Sequence, residues 1–311
     1  MARPIILGVV GDSAAGKTTI TRGLTRVLGD ENVTHVCTDD YHKYDRRQRA
    51  ERGITPLHPE CNHLDIMAQH LGHLRTGEAF MKPVYQHVDG TFGPLVRIEP
   101  EQFAVVEGLL GYSTEEMRRM YDVRVYLNPP EELRRKWKVQ RDCSKRGYTT
   151  DQVLTELDKR EPDSEAFIRP QQQYADIVVS FLPGDQEHLD SEIVLRSSLQ
   201  HPKLASIIGG CPNSRIKVTE HDDELHLWIP GDLEAAPALE IEEQIWRDLH
   251  FASHLRTERL GEITLGGDRV VRSESLALIQ LLVLYHLFTA TASVALGGNG
   301  TRVPEPERIA T

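Results

Sequence analysis

The sequence predicts an α/β protein, a mainly parallel sheet flanked by helices, with a smaller mixed extension at its C-terminal end. Three observations carry this. An apolar run at residues 5–10 leads straight into a glycine-rich turn and then a helical stretch. Further short strand-like runs, near 34–38, 103–109 and 122–127, end in carboxylates or in Asn-Pro-Pro, with helical segments between them. After about residue 183 the pattern changes to short alternating runs and long apolar helices.

The first run, I-I-L-G-V-V, reads as a buried parallel strand. Gly11-Asp12-Ser13-Ala14-Ala15-Gly16-Lys17-Thr18 follows and fits G-x-x-x-x-G-K-[ST], the phosphate-binding loop. Gly11 and Gly16 permit backbone angles that other residues resist, so successive N–H groups can turn towards phosphate oxygens. The helix at 18–28 adds positive partial charge behind the same phosphates. Lys17 reaches the β- and γ-phosphates, the Thr18 hydroxyl ligates Mg²⁺, and Thr19 completes the cradle. A glycine turn that merely spells the motif would not need the strand before it and the helix after it. A nucleoside triphosphate is therefore expected here, on a P-loop NTPase-type sheet.

A second strand at 34–38 ends in Asp39-Asp40-Tyr41-His42. Ligands collect at the carboxyl ends of strands in an open parallel sheet, so Asp39 and Asp40 are candidates for a general base. A solvated turn or a helix cap is the plainer reading. Neighbours on an extended strand point to opposite sides, so one of the two faces the γ-phosphate. Residues 43–62 are polar, basic and poorly periodic, and read as a surface loop. Arg46 and Arg49 there suit a clamp on the phosphate of a second substrate, because guanidinium matches phosphate geometry. An amphipathic helix is expected at 65–76 and an extended segment ending in a turn at 82–91.

The strand at 103–109 ends in Glu107, a Walker-B pattern with Glu for Asp, placing a carboxylate near Mg²⁺ directly or through water. The strand at 122–127 is closed by Asn128-Pro129-Pro130. Residues 131–148 read as a strongly basic helix with Arg134, Arg135, Lys136, Lys138, Arg141, Lys145 and Arg146. Lys138, Arg141 and Lys145 share one helical face. Such runs are commonly solvated; in an acidic chain beside a phosphate site this one suits a mobile lid that supplies charge to the transition state. A helix at 151–160 is expected to end at Pro162, before a strand at 177–181.

Short strands are expected at 192–199 and 215–229, the latter a hairpin turning near 221–223. A helix at 239–260 carries an apolar face with Ile241, Ile245, Trp246 and Leu249, and a turn at 266–268 precedes an apolar helix at 276–296. That helix is long enough to span a bilayer, but contains Gln280 and His286 and becomes small and polar in its second half, favouring a buried or interface helix. The resulting division is a core at 1–183, an extension at 184–296 that completes the sheet or forms a dimer surface, and a disordered tail at 297–311.

The 311 residues carry a formal charge of −11, which argues against broad nucleic-acid binding while allowing a local basic groove. Cys37, Cys61, Cys143 and Cys211 form no C-x-x-C pair, so neither a zinc framework nor a disulfide framework is indicated. The first strand follows the N-terminus directly, so a cytoplasmic protein is expected.

Taken together, these motifs resemble the phosphoribulokinase branch of the phosphoribulokinase/uridine kinase family. The resemblance rests on the phosphate loop, Thr38-Asp39-Asp40-Tyr41-His42, Gly53-Ile54-Thr55-Pro56-Leu57, Lys82-Pro83-Val84-Tyr85-Gln86-His87, Val106-Glu107-Gly108-Leu109, Gln140-Arg141-Asp142 with Arg146-Gly147-Tyr148, and the run from Pro162 to Asp176. It covers about residues 3–183 and favours the plant- and cyanobacterial-like branch. It implies ATP- and Mg²⁺-dependent phosphorylation of ribulose 5-phosphate to ribulose 1,5-bisphosphate by a homo-oligomer, expected to be a dimer.

By position, Asp39 resembles the general base, with Asp40 the second choice. His42, Arg46, Tyr85 and His87 resemble sugar-phosphate contacts. Thr18, Glu107 and Asp39 resemble the metal set, and Lys138, Arg141, Asp142 and Arg146 the lid. Light-regulated plant members carry a cysteine where this chain has Ala15, whereas Cys37 matches their second regulatory cysteine. That particular disulfide is therefore not expected, although Cys37 beside the site would make the protein sensitive to thiol reagents. The alternatives are a uridine kinase or another small-molecule kinase of the group, and a nucleotide-dependent switch, for which no N-K-x-D motif is found.

Overall fold

Five parallel strands and three antiparallel ones form a single sheet in a computed structural model that describes residues 2–184, 188–257, 259–264 and 270–303. In chain order the strands are β1 (Ile5–Gly11), β2 (Val33–Cys37), β3 (Phe103–Gly108), β4 (Val123–Leu127), β5 (Ile177–Pro183), β6 (Leu189–Arg196), β7 (Lys217–His221) and β8 (Glu224–Ile229). Across the sheet the order is β7-β8-β6-β5-β4-β1-β3-β2. Strand β1 lies at the centre of the parallel half, with Ile5 beside Phe103 and Leu7 beside Val123. All its residues are buried, as its uninterrupted apolar run requires of a strand covered on both faces.

Alternate residues of β1 feed two cores. Leu7 and Val9 pack with Leu24 and Leu28 of α1 (Lys17–Leu28), with Ile245 and Trp246 of α8 (Ala235–Asp248), and with α9 (Glu274–Ala295). Ile6 and Val10 face the opposite way, towards Met67 and Leu71 of α3 (Leu64–Thr76) and Met117 of α4 (Glu115–Met120). The helices between are α2 (Arg46–Arg52), α5 (Glu131–Arg146), α6 (Thr150–Asp163) and α7 (Leu204–Gly209). Two small antiparallel pairs, Phe80–Lys82 with Val96–Ile98 and Tyr85–Gln86 with Thr91–Phe92, lie beyond α3 in the chain.

The 184–296 region shares both sheet and core with what precedes it: β6 pairs with β5, and α9 packs on α1 and β1. Helix α9 has the length and composition of a membrane span, and most of it is buried in this core. The hairpin of β7 and β8 turns through Asp222 and Asp223, both with positive φ (49° and 63°), the conformation that matches the twist of two-residue hairpins.

Several sequence expectations are revised. Residues 43–62 are not simply a loop, because α2 starts there on a capping box: the Gln48 N–H donates to Asp45 Oδ1 at 2.7 Å and the Asp45 N–H to Gln48 Oε1 at 3.0 Å. Pro162 does not stop α6, which runs on to Asp163 and widens into a π-helical turn at Ser164–Ile168, a way of accommodating the missing proline N–H. The helix expected at 239–260 ends at Asp248, and a 3₁₀ stretch, His250–Leu255, follows. Of the expected disordered tail, 297–303 is tied down by polar contacts: the Asn299 carbonyl accepts from Arg3, and Arg302 pairs with Asp176 at 3.2 Å. Residues 304–311 and the turn expected at 266–268 lie outside the described residues.

Candidate active site

The phosphate loop turns between β1 and α1 on a backbone that its sequence anticipates. Gly11 (φ 154°) and Gly16 (φ 96°) take angles that side chains resist, and a Cβ on Gly11 would sit 2.6 Å from the Leu127 carbonyl. Ala14 adopts the left-handed region (φ 68°) and Ala15 is fully buried under the loop. Lys17 folds back over its own loop, donating to the Gly11 carbonyl at 2.7 Å and the Asp12 carbonyl at 2.8 Å. Burial lowers the Lys17 ammonium from its ordinary value, while Glu107, Asp39 and Asp12 act to raise it. Asp12 turns away from the main cleft: its carboxylate is buried and accepts from the Ser164 hydroxyl at 2.6 Å. Ser13 receives Arg134 on its carbonyl and Lys138 on its hydroxyl, both at 3.2 Å.

Strand pairing sets Val9 of β1 beside Glu107 of β3. Glu107 accepts from the Thr18 hydroxyl at 3.4 Å and the Thr21 hydroxyl at 3.0 Å. A hydroxyl and a carboxylate side by side at the loop's open edge are an all-oxygen donor set that fits a hard divalent cation.

The two aspartates after β2 have different fates. They lie in a 3₁₀ turn, Thr38–Tyr41, rather than on an extended strand. Asp40 is buried, ion-paired with Lys82, and accepts the Tyr85 N–H at 2.8 Å. As a candidate base it is corrected: its oxygens hold the Lys82–Tyr85 segment in place. Asp39 lines the cleft shared with the phosphate loop, with His87 Nε2 3.7 Å from Oδ2. Partial loss of solvent at the cleft wall lowers the His87 imidazole, although its side chain stays largely accessible, with Asp39 acting in the opposite direction.

The other expected acceptor-side residues line the same cleft as Asp39. His42 is buried, hydrogen-bonded to Asn62 at 2.7 Å, and set edge-on to Tyr85 with ring centroids 4.9 Å apart. Arg46 stays exposed and donates to the His87 carbonyl at 2.6 Å. Arg49 is corrected in part: its guanidinium is buried, donates to the Tyr44 carbonyl at 2.6 Å and the Tyr85 hydroxyl at 2.5 Å, and lies over the Tyr85 ring. It therefore positions Tyr85 instead of standing as a free clamp.

The basic helix divides along its length. Arg134 and Arg135 pair with Glu131, at 2.7 and 2.8 Å, and anchor the helix start. Lys138, Arg141 and Arg146 converge on Asp142, at 2.8, 2.8 and 3.5 Å, and line the cleft. Burial, and then Arg141, pull the Lys138 ammonium down to about 8. Burial would raise the Asp142 carboxyl, but Arg141 and Lys138 hold it below the usual range. The Lys145 side chain lies outside the described residues. Sequence reasoning missed one wall of the same cleft, of about 1340 Å³, formed by Trp137, Phe181, Leu276 and Ile279. Each reads singly as core, and only the fold brings them together.

Residues 6–187 match the Phosphoribulokinase / Uridine kinase family profile. The chain is 42% identical over 181 residues to a phosphoribulokinase of Synechocystis sp., covering 58% of this chain and 54% of that protein. To the chloroplastic phosphoribulokinase of Triticum aestivum it is 37% identical over 198 residues, 58% and 49% of the two chains. To a uridine kinase of Brevibacillus brevis it is 31% identical over 183 residues, 58% and 86%. The chain thus spans about half the length of these two phosphoribulokinases. Its fold is similar to that of a solved phosphoribulokinase from Rhodobacter spheroides, with a TM-score of 0.59 over 82% of this chain and 98% of that one, at 18% identity. The matched segment carries the phosphate loop, Asp39, Glu107 and the basic helix, and the chain belongs to the Phosphoribulokinase / Uridine kinase family.

Proposed function

We propose that this protein transfers the γ-phosphoryl group of ATP to ribulose 5-phosphate, giving ribulose 1,5-bisphosphate and ADP. One observation carries the reading: a single cleft is lined by the phosphate loop and Glu107 and also by Asp39, His42, Arg46, Tyr85 and His87. The first set suits a nucleoside triphosphate; the second offers a base and cationic groups to a phosphorylated acceptor. The similarity to phosphoribulokinases supports the choice of acceptor.

In this reading Lys17 exchanges its two loop carbonyls for the β- and γ-phosphates. Thr18 and Glu107 would hold Mg²⁺, which draws charge from those phosphates when bound. Asp39 takes the proton of the acceptor hydroxyl as its oxygen bonds to the γ-phosphorus and the bond to the β–γ bridging oxygen breaks. Lys138, Arg141 and Arg146 supply positive charge to the equatorial oxygens. Trp137 and Phe181, set edge to face with ring centroids 5.9 Å apart, offer an apolar aromatic wall to the nucleobase. Most of the catalytic work is then positioning and charge neutralisation.

Uridine kinase activity is a second reading, favoured by the 86% of the Brevibacillus brevis protein that this chain covers. The test is ATP consumption with Mg²⁺ and either ribulose 5-phosphate or uridine. Turnover with the sugar phosphate alone is expected. Turnover with uridine keeps the nucleotide half of the reading and overturns the acceptor, and turnover with neither overturns the kinase reading.

A further inference from the structure

Three donors of different chemical kinds meet on the acceptor side of the cleft. Cys37 ends β2, Asp39 lies in the turn that follows, and His87 comes from the loop after Tyr85–Gln86. A sulfur, a carboxylate oxygen and an imidazole nitrogen from these residues all lie within 4.8 Å of one another. Tetrahedral bonds of about 2.0–2.3 Å place neighbouring ligand atoms roughly 3.3–3.8 Å apart. The trio is thus within a side-chain adjustment of about 1–1.5 Å of a coordination shell. Cys37 is half-buried and His87 is exposed, and both line the cleft, so an ion has a route in and a fourth position open to water.

We propose that Cys37, Asp39 and His87 form a site for a soft divalent cation of the Zn²⁺ type, separate from the all-oxygen position at Thr18 and Glu107. Ligand softness sorts the two. Thiolate and imidazole select Zn²⁺ or Cd²⁺, whereas hydroxyl and carboxylate suit Mg²⁺. On binding, the Cys37 S–H bond is replaced by an S–metal bond and its proton passes to solvent, without redox change. The bound ion also takes Asp39, so it blocks proton removal from the acceptor. This last consequence rests on the proposed kinase reading; the binding itself does not.

The test uses the full chain stripped of metal. Co²⁺ titration should give a near-ultraviolet thiolate-to-cobalt charge-transfer band saturating at one ion per chain, and Zn²⁺ should abolish it. Cys37→Ser should lose the band. Its Zn²⁺ affinity should fall at least ~10-fold, since losing even an outer-shell partner costs that much. His87→Gln should keep the band but weaken binding similarly, with circular dichroism checking the fold of both variants. No band in the parent protein, or a band and Zn²⁺ affinity untouched by both substitutions, overturns the site. A separate assay reads turnover with ribulose 5-phosphate. Inhibition by Zn²⁺ that a chelator reverses, weaker in Cys37→Ser, supports the blocking role. Turnover unaffected at saturating Zn²⁺ overturns that role. Lack of turnover without Zn²⁺ counts against the kinase reading, and the cobalt spectrum judges the site on its own.

Discussion

The parallel and antiparallel halves of the sheet do different jobs with the same kind of material. Strands β1, β2 and β3 each place part of the proposed site at or just past their carboxyl ends: the phosphate loop, Asp39 and Glu107. Strands β6 to β8 extend the sheet and bury Ile193, Leu195, Leu225 and Leu227, and contribute to the cleft only through wall residues such as Leu189 and Ser191. The second half is nonetheless not a passive addition. Gln280, fully buried on α9, donates to the Thr19 carbonyl at 3.3 Å and accepts the Gly261 N–H at 2.8 Å. Its amide lies directly against Gly23 of α1, the helix that begins at Lys17. One half holds the groups assigned to the proposed reaction, and the other holds the helix that follows the phosphate loop.

The sharpest test separates chemistry from support. Asp39→Asn should lower kcat at least ~100-fold, the scale of a lost general base, with unchanged thermal unfolding. Asp40→Asn should do the reverse, leaving Lys82 buried without its partner, a loss of about 3–5 kcal/mol in stability read from denaturant unfolding. The opposite ranking would return Asp40 to the chemistry.

Next in size is the contact between the halves. A Cβ on Gly23 would lie 2.0–2.4 Å from the Gln280 amide. Gly23→Ala should therefore cost about 1–3 kcal/mol by overpacking, although alanine is the better helix former. Adding Gln280→Ala should recover part of the loss; simple additivity in that cycle would show that the two helices are not coupled there.

A smaller effect concerns pH. With its pKa near 8, Lys138 carries its charge below that pH and loses it above. The kcat/KM for ATP should fall as pH rises through about 8, and Lys138→Arg should move that limb upwards. Stability has the opposite sign. Between about 8 and the ordinary lysine value of 10.5 the unfolded chain binds the proton better than the folded one, so Lys138 adds stability as pH rises across that window. An alkaline limb unchanged in Lys138→Arg would remove Lys138 from nucleotide binding. The smallest effect lies in the hairpin: Asp223→Gly relieves a positive φ and should stabilise by up to about 1 kcal/mol in urea unfolding.

The phosphate loop and Glu107 were legible because phosphate chemistry demands specific residue types at specific spacings next to a strand. The choice between Asp39 and Asp40 was not, since it turns on Lys82, 42 residues further along. The start of α2 was readable in Asp45-x-x-Gln48, but the density of charge hid the cap. The π-helical turn after Pro162 follows from how the chain restores its hydrogen bonds, which a local breaker rule does not capture. Trp137, Phe181, Leu276 and Ile279 escaped notice because no local pattern distinguishes an apolar side chain in a cleft wall from one in a core.

Lys17 closing on the carbonyls of Gly11 and Asp12 has a kinetic consequence. The two carbonyls act as internal stand-ins for phosphate oxygens, so the loop is folded before a nucleotide arrives and its ordering entropy is spent during folding. An incoming triphosphate displaces two hydrogen bonds but need not organise the loop. Its association should therefore be a single docking step, first order in nucleotide without a plateau, and much of the selectivity among phosphate ligands should appear in how slowly each one leaves.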